Sequence, residues 1–349
     1  MSSASHDPNS LRIALSELAL TDALDGHVNR ASNYLSELAN LGKIEAPSVD
    51  TAWASATLAT ALIAQEHGDV VAVDRATRRL APMRGRYEPW PLTALAHSAA
   101  IRQTRGAAAA LHDLRSSLSQ RNGTRRLFQP WHDVLLSFEA SLNTAIGNLA
   151  RAETLLAQVA FDRAAQRIER ARLALFASDD VEALLLAEGV HDSGSTKRQR
   201  LDQRLLVAAA AWACGRPRAA FEALSSARAL SERYGVRSAI FGLPHDLVLR
   251  LAEAAREAEH IDVVAWVEAV PDAARAWRYE PLTEMELRTL TAIRHHGNAN
   301  AVAQELFVTV GTVKKHLAAV YRKLRVRDRQ AAIIRATEMG LLARTLPPG

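Results

Sequence analysis

Three of the chain's five lysines, Lys314, Lys315 and Lys323, fall within ten residues of one another. They lie in the run TVKKHLAAVYRKL, where Val313, Leu317, Val320 and Leu324 follow the 4, 3, 4 spacing of a helix face turned to a core. Thr312, Lys315, Ala318, Ala319 and Arg322 then fall on the opposite face, with Lys314 and His316 flanking it. Cations suit phosphates, small side chains permit close approach, and donors or methyl-sized groups suit base edges. Gly311, Thr312, Lys314, Lys315 and Ala318 supply all of these on one short helix. The competing reading of the same residues is a solvated basic face.

Other chemistries lack their residues. His295-His296 is adjacent rather than i, i+4, so it cannot put two metal ligands on one helix face, and no HExxH or GxSxG occurs. Gly194-Ser195-Thr196-Lys197 is not in the order of a phosphate-binding loop. His97, His112 and His132 are scattered along helical stretches, and Asp179-Asp180 reads as a turn with a helix cap. The single cysteine, Cys214, excludes an intramolecular disulfide framework and any multi-cysteine metal site. The expectation is therefore no metal, no cofactor and no enzyme.

The elements that hold the basic helix are legible around it. Thr283 with Glu286 three residues on forms a capping box, with Leu282 and Leu287 placed for a hydrophobic staple. Leu287, Leu290 and Ile293 share a face, and Gly297 ends this first helix. Asn298 or Asn300 caps a short second helix carrying Val302, Ala303 and Leu306. Phe307 to Gly311 is a tight connection in which Thr309 caps the basic helix, from about Gly311 to Leu324. A fourth helix runs from Arg329 to Met339, stopped by Gly340. Two short helices joined tightly, the second basic and small-faced, make the helix-turn-helix plan.

The stretch LTEMELRTLTAI…AVAQELFVTVGTVKKHLAAVYRKLRVRDRQAAIIRATEMGLL resembles the LuxR-type (GerE-type) helix-turn-helix of bacterial transcription regulators. The resemblance rests on TVKKH, YRKL five residues on, R-x-x-A and the closing GLL, and covers about a fifth of the chain. It implies that Lys314 and Lys315 read bases with Ala318 one turn along. It also implies that Thr312, His316 and Lys323 contact the DNA backbone, and that the fourth helix (Ala332, Ile333, Ala336) carries a dimer contact. Met285 stands where the family has Arg, and Gly297 to Ala303 lacks the family's Ser-Asn and Glu-Ile-Ala entry, which leaves the seating of the second helix open.

Before Arg278 the charge balance differs. From Arg278 to the end there are 12 basic and 6 acidic residues; the remainder has 31 and 32. Such asymmetry points to a nucleic-acid-binding module joined to something else. That remainder is Ala- and Leu-rich, with aromatics at 5% of the chain, which favours helix. Gly68, Gly106, Gly147 and Gly215 each separate an apolar helical run from the next, and Ser178 to Asp180 fits a missing turn between the last two. Five helical hairpins at roughly 33–41-residue spacing make a tetratricopeptide-like array, with small residues such as Ala76, Ala110, Ala152 and Ala219 letting helices approach. The run LLVAAAAWACGRPRAAFEALSSARALSERYGVRSAIF resembles the helical-repeat part of MalT-like (LAL-type) regulators, without their nucleotide-binding module. Gly189 to Arg200 reads as an exposed polar loop ending in Lys197, Arg198 and Arg200. Trp90 and Trp131, near prolines at helix starts, mark a surface groove.

The chain of 349 residues is long enough for two domains, and no run approaches the ~18 apolar residues of a membrane span. The expected plan is all-α: a disordered 1–10, a helical-repeat sensory or interaction domain at 11–270, a linker at 271–281, a four-helix LuxR-type domain at 282–343 and a tail at 344–349. The expected function is a cytoplasmic transcription regulator that reads promoter DNA as a homodimer. RNA polymerase, and a small-molecule or protein effector on the array, are further expected partners. The alternative is a protein-interaction scaffold that docks on the transcription machinery without reading bases.

Overall fold

The computed structural model describes residues 8–41, 51–83, 89, 91–119, 129–160, 163–190, 194–268, 282–324, 326–338 and 341–342. These are helical throughout, with no strand among the described residues. The first fourteen helices pair as hairpins: α1 (Pro8–Asp25) with α2 (Val28–Asn40), α3 (Thr51–Glu66) with α4 (Val70–Leu80), and α5 (Pro91–Arg105) with α6 (Ala107–Ser119). Then come α7 (Gln129–Ala145) with α8 (Leu149–Leu156), α9 (Arg163–Phe176) with α10 (Asp180–Glu188), α11 (Lys197–Ala213) with α12 (Pro217–Tyr234), and α13 (His245–Glu257) with α14 (Ile261–Glu268).

Reversing direction between two closely packed helices requires one residue in the left-handed region. Glycine supplies it at 26, 68, 106, 147 and 215, while Ser178 (φ 64°) and Glu259 (φ 61°) adopt it without glycine. Among the described residues the array therefore has seven hairpins rather than five. The extra pairs turn at Gly26 and Glu259, neither of which belongs to the series Gly68, Gly106, Gly147 and Gly215. Helix α1 begins at Pro8, consistent with the preset φ of proline in a first turn. Side chains fix several of the starts: Asp69 accepts from Ala72 N at 2.9 Å and Asp179 from Glu182 N at 3.2 Å.

Helices α1, α3, α5, α7, α9 and α11 pack in succession, and each of α2, α4, α6, α8 and α10 packs against the first helix of the next hairpin. Ala76, Ala110, Ala152 and Ala220 are buried at the contacts; Ala219, the neighbour chosen from the sequence, is exposed. Fully buried Leu58, Leu92, Leu111, Leu142, Leu155 and Leu205 fill the space between hairpins. Each such leucine contributes about 1.5–3 kcal/mol of burial.

The array closes on itself. Arg198 on α11 pairs with Glu66 at the end of α3 and donates to Ala23 O at 3.2 Å. Buried Glu66 also accepts from Arg237 N at 2.9 Å and from Ser238 N at 2.8 Å and Oγ at 3.1 Å. Lys197 lies 3.8 Å from Asp25, and Asn29 donates to Arg233 O at 3.2 Å. The basic run expected in a loop is thus the start of α11. Thr196 and Gln199 form a capping box there, at 3.1 and 2.9 Å, and Lys197 and Arg198 are spent on acids of the first two hairpins.

Trp131 does not line a groove: it is partly buried against the apolar cluster of α1 to α5, where its area is worth most. Trp90 lies outside the described residues, as do residues 1–7, the expected linker at 271–281 and the tail at 344–349.

Among the described residues four further helices follow: α15 (Glu284–His296), α16 (Ala299–Glu305), α17 (Val310–Leu324) and α18 (Arg329–Glu338). Leu290, Ile293, Val302, Val313, Val320, Ala332 and Leu342 make their core, and the apolar cluster they belong to runs on into α5, α6 and α7.

Candidate nucleic-acid interface

The module is positioned by local signals. Thr283 accepts from Glu286 N at 3.3 Å, and Glu286 accepts from Thr283 N at 2.7 Å, which starts α15. Gly297, at φ 71°, ends it. Asn298 caps α16 through Ala301 N at 2.9 Å. His296 reaches back across this turn to pair with Glu305, and Arg329 donates to Gly297 O. Thr309 caps α17 through Thr312 N at 3.1 Å, so that helix starts at Val310.

Between α16 and α17 the chain turns through Phe307, which has φ 55° and is 95% exposed. A bulky residue in the left-handed region costs about 1–2 kcal/mol. The turn enforces it, through Phe307 N to Gln304 O at 3.4 Å and Val308 N to Ala303 O at 3.0 Å. Its backbone state was not legible, because only glycine or asparagine advertises such a position.

Helix α17 buries Val313, Leu317, Val320 and Leu324, the face set by its spacing. Gly311, Lys314, Lys315, Ala318 and Arg322 are exposed and recur at i, i+3, i+4, i+7 and i+11, a single stripe. Over 11 residues that stripe runs about 16 Å, close to the rise of five base pairs. Thr312 and His316 are half-buried at its edge, with the Thr312 hydroxyl 2.9 Å from that of Thr309. Lys314 and Lys315 have no ion-pair partner among the described residues, and the array leaves the stripe uncovered.

Two expectations are corrected. Lys323 does not belong to the face: its Nζ sits 2.7 Å from Glu286 Oε2, with the two side chains only 11% and 7% exposed. It falls one position beyond the stripe, where α17 turns against the start of α15. Its charge satisfies the carboxylate that also caps that helix. Ala332 and Ala336 are fully buried in the module's own core and are unavailable to a second copy. Ile333 beside them is half-buried, and the exposed side of α18 instead carries Gln330 and Ile334.

Residues 280–336 match the family described as bacterial regulatory proteins, luxR family. The C-terminal module is a LuxR-family helix-turn-helix domain. It is 38% identical over 60 residues to the transcriptional regulatory protein LnrK of Bacillus subtilis, covering 17% of this chain and 27% of that protein. The response regulator protein VraR of Staphylococcus aureus is 37% identical over 68 residues, covering 20% of this chain and 32% of its own length. DesR of B. subtilis, a transcriptional regulatory protein, is 37% identical over 60 residues, covering 17% and 30%. The chain thus spans less than a third of the length of these relatives. No solved structure matches the chain.

Among the described residues no group of His, Cys, Asp and Glu could hold a metal ion, and no helix is long and apolar enough to cross a membrane. The closest approach to a catalytic grouping is in the array, where Asp113 accepts from Ser98 Oγ at 2.6 Å and lies 3.0 Å from His97 Nδ1. Serine and histidine both address the carboxylate rather than each other, so the histidine does not activate the hydroxyl. The hydrogen bond to Asp113 raises the His97 pKa against the opposing effect of burial, and Asp74 4.0 Å away adds to the rise.

Proposed function

We propose that the protein is a cytoplasmic bacterial transcription regulator whose α17 enters the major groove of promoter DNA. The observation that carries this reading is the uncovered stripe of Gly311, Lys314, Lys315, Ala318 and Arg322, on a helix whose opposite face is locked into the module. Lys314 and Lys315 reach base edges near the helix N-terminus, Ala318 allows close approach, and Arg322 meets phosphate. Thr312 and His316, at the edge, contact the backbone.

One module spans about half a helical turn, so useful affinity requires two copies on paired half-sites. Gln330 and Ile334, with half-buried Ile333, form the surface through which the copies meet. The array carries the control function, receiving an effector or partner. The apolar cluster shared between α5–α7 and the module supports a mechanical link between them.

The experiment compares Lys315→Ala and His316→Ala on a DNA sequence selected by the wild type. Lys315→Ala narrows the gap between cognate and random DNA by about 1–3 kcal/mol. His316→Ala weakens both to a similar extent. Wild-type binding by both variants would overturn the assignment of α17 as the reading helix, and sequence-indifferent binding by the wild type would favour a scaffold.

A further inference from the structure

The seam that closes the array brings the turn between α1 and α2 against α11 and α12. The approach is close: a side chain at Gly26 would come within 2.8 Å of Arg198 N, and one at Gly235 would overlap Asn29. Asn29 donates to Arg233 O at 3.2 Å, and Val28 and Val236 are buried in one apolar cluster. Around that small apolar contact the seam is built from charge. His27 lies at its centre, with its ring edge-on to the Tyr234 ring of α12 and centroids 4.8 Å apart. Its Nε2 is 3.3 Å from Asp25 Oδ2, the same oxygen that lies 3.8 Å from Lys197 Nζ on α11. Lys197 and Arg233 both stand over the Tyr234 ring, at 5.8 and 5.3 Å from its centroid.

On its own hairpin His27 faces Asp22 and Asp25 of α1 and Arg30 of α2, and Asp22 is taken up by Arg30. Three cations, Arg30, Lys197 and Arg233, thus gather around His27 and Tyr234 against two carboxylates, each already paired with one of them. A proton on His27 adds a fourth cation. It also places that charge at the N-cap of α2, the positive end of the helix dipole. Burial first, and then Arg30, with a smaller push from Lys197, hold the His27 pKa below its ordinary value against the pull of Asp25 and Asp22. The closed form therefore binds the proton less well than the open one. Closure is at full strength above about pH 6.5 and weakens as pH falls below it.

We propose that His27 makes the seam a pH-operated latch: neutral, it lets the first hairpin close on α11 and α12, and protonated, it repels Lys197 and Arg233 and loosens that closure. Gln103 on α5 donates to Gln65 O at 2.6 Å, beside Glu66 in the same seam. Loosening therefore bears on the helix whose apolar cluster continues into the C-terminal module. The latch is a property of the array, and only its effect on DNA binding rests on the proposed regulator.

The test is hydrogen exchange of the full chain about one pH unit above and below 6.5, corrected for the intrinsic pH dependence of amide exchange. The Arg237 and Ser238 amides report opening, because both donate across the seam to Glu66. In the wild type they should exchange about two- to fivefold faster at the lower pH, the effect of one charge placed at a helix terminus. His27→Gln should abolish the acceleration. Lys197→Met, which leaves Asp25 free to pair with a protonated His27, should reduce it. His67→Gln removes the other histidine near Arg237 and should leave the acceleration in place. Equal exchange at both pH values in the wild type, or an undiminished acceleration in His27→Gln or in Lys197→Met, overturns the latch. So does an acceleration lost in His67→Gln, or one shared equally by the amides of α9 and α10, which marks general unfolding. Should the latch open while DNA affinity follows pH identically in the wild type and His27→Gln, the regulatory consequence alone is overturned. An opening latch in a chain that binds no DNA overturns the regulator reading alone.

Discussion

Replacing Lys323 with Met separates two accounts of the same residue. Family resemblance puts Lys323 on the DNA backbone, whereas the structure buries it 2.7 Å from Glu286. Removing one member of a buried pair costs about 3–5 kcal/mol, because the other charge is left uncompensated. Glu286 keeps the Thr283 N–H at 2.7 Å, which favours the lower end, about 3 kcal/mol. A core of some 60 residues rarely supplies more than about 3–5 kcal/mol, so this loss takes most of the module's stability. Hydrogen exchange in the full chain reads it directly: the α17 amides of Lys323→Met should exchange about a hundredfold faster. Adding Glu286→Gln, which keeps an acceptor for Thr283 but removes the orphaned charge, should recover a large part of that loss. The dependence of DNA affinity on salt should not change, whereas a lost phosphate contact lowers the log–log slope by about 0.9. Unchanged exchange together with a slope reduced by that amount would refute the reasoning and return Lys323 to the DNA.

Glu66→Ala should destabilise the array by about 3–5 kcal/mol in urea unfolding, since Arg198 loses its partner and the Arg237 and Ser238 amides their acceptor; a loss below about 0.5 kcal/mol would show that the array does not close through this carboxylate. His97 has a raised pKa in the folded state, so its contribution is fully present below pH 6.5 and is lost as pH rises through the folded value. As pH rises above 6.5 the wild type should therefore lose more stability than His97→Gln does, and parallel pH profiles would contradict the assignment. Phe307→Gly should relieve the left-handed strain and slow α17 exchange about fivefold, near 1 kcal/mol, and faster exchange would show that the phenyl ring stabilises the turn.

The module was the most legible part of the chain because its signals are local. Thr283 and Glu286, Asn298, Thr309 and the 4, 3, 4 spacing of Val313 to Leu324 each act within one or two helical turns, and each is realised. The partner of Lys323 is 37 residues away in sequence, and no local pattern encodes that encounter. The burial of Ala332 and Ala336 follows from how α18 leans on the module core, which a helical wheel cannot orient without a second apolar neighbour to count. In the array, the turns marked by glycine were visible and those built on Ser178 and Glu259 were only half visible, because their left-handed backbone is imposed by packing. The start of α11 was legible in principle: Thr196-x-x-Gln199 is a capping box, outweighed by the two glycines before it. Closure of the array, from Glu66 to Ser238 and from Asn29 to Arg233, spans some 170–200 residues and is set by the sum of small rotations between hairpins.

The central claim, that α17 reads DNA sequence, is tested most directly by mixing the full chain with fragmented genomic DNA at ~150 mM salt and sequencing what it retains. Enrichment of a short two-fold-related motif by the wild type, lost in Lys314→Ala/Lys315→Ala, is the predicted result. Retention without any motif, or a motif that survives the double substitution, would contradict it.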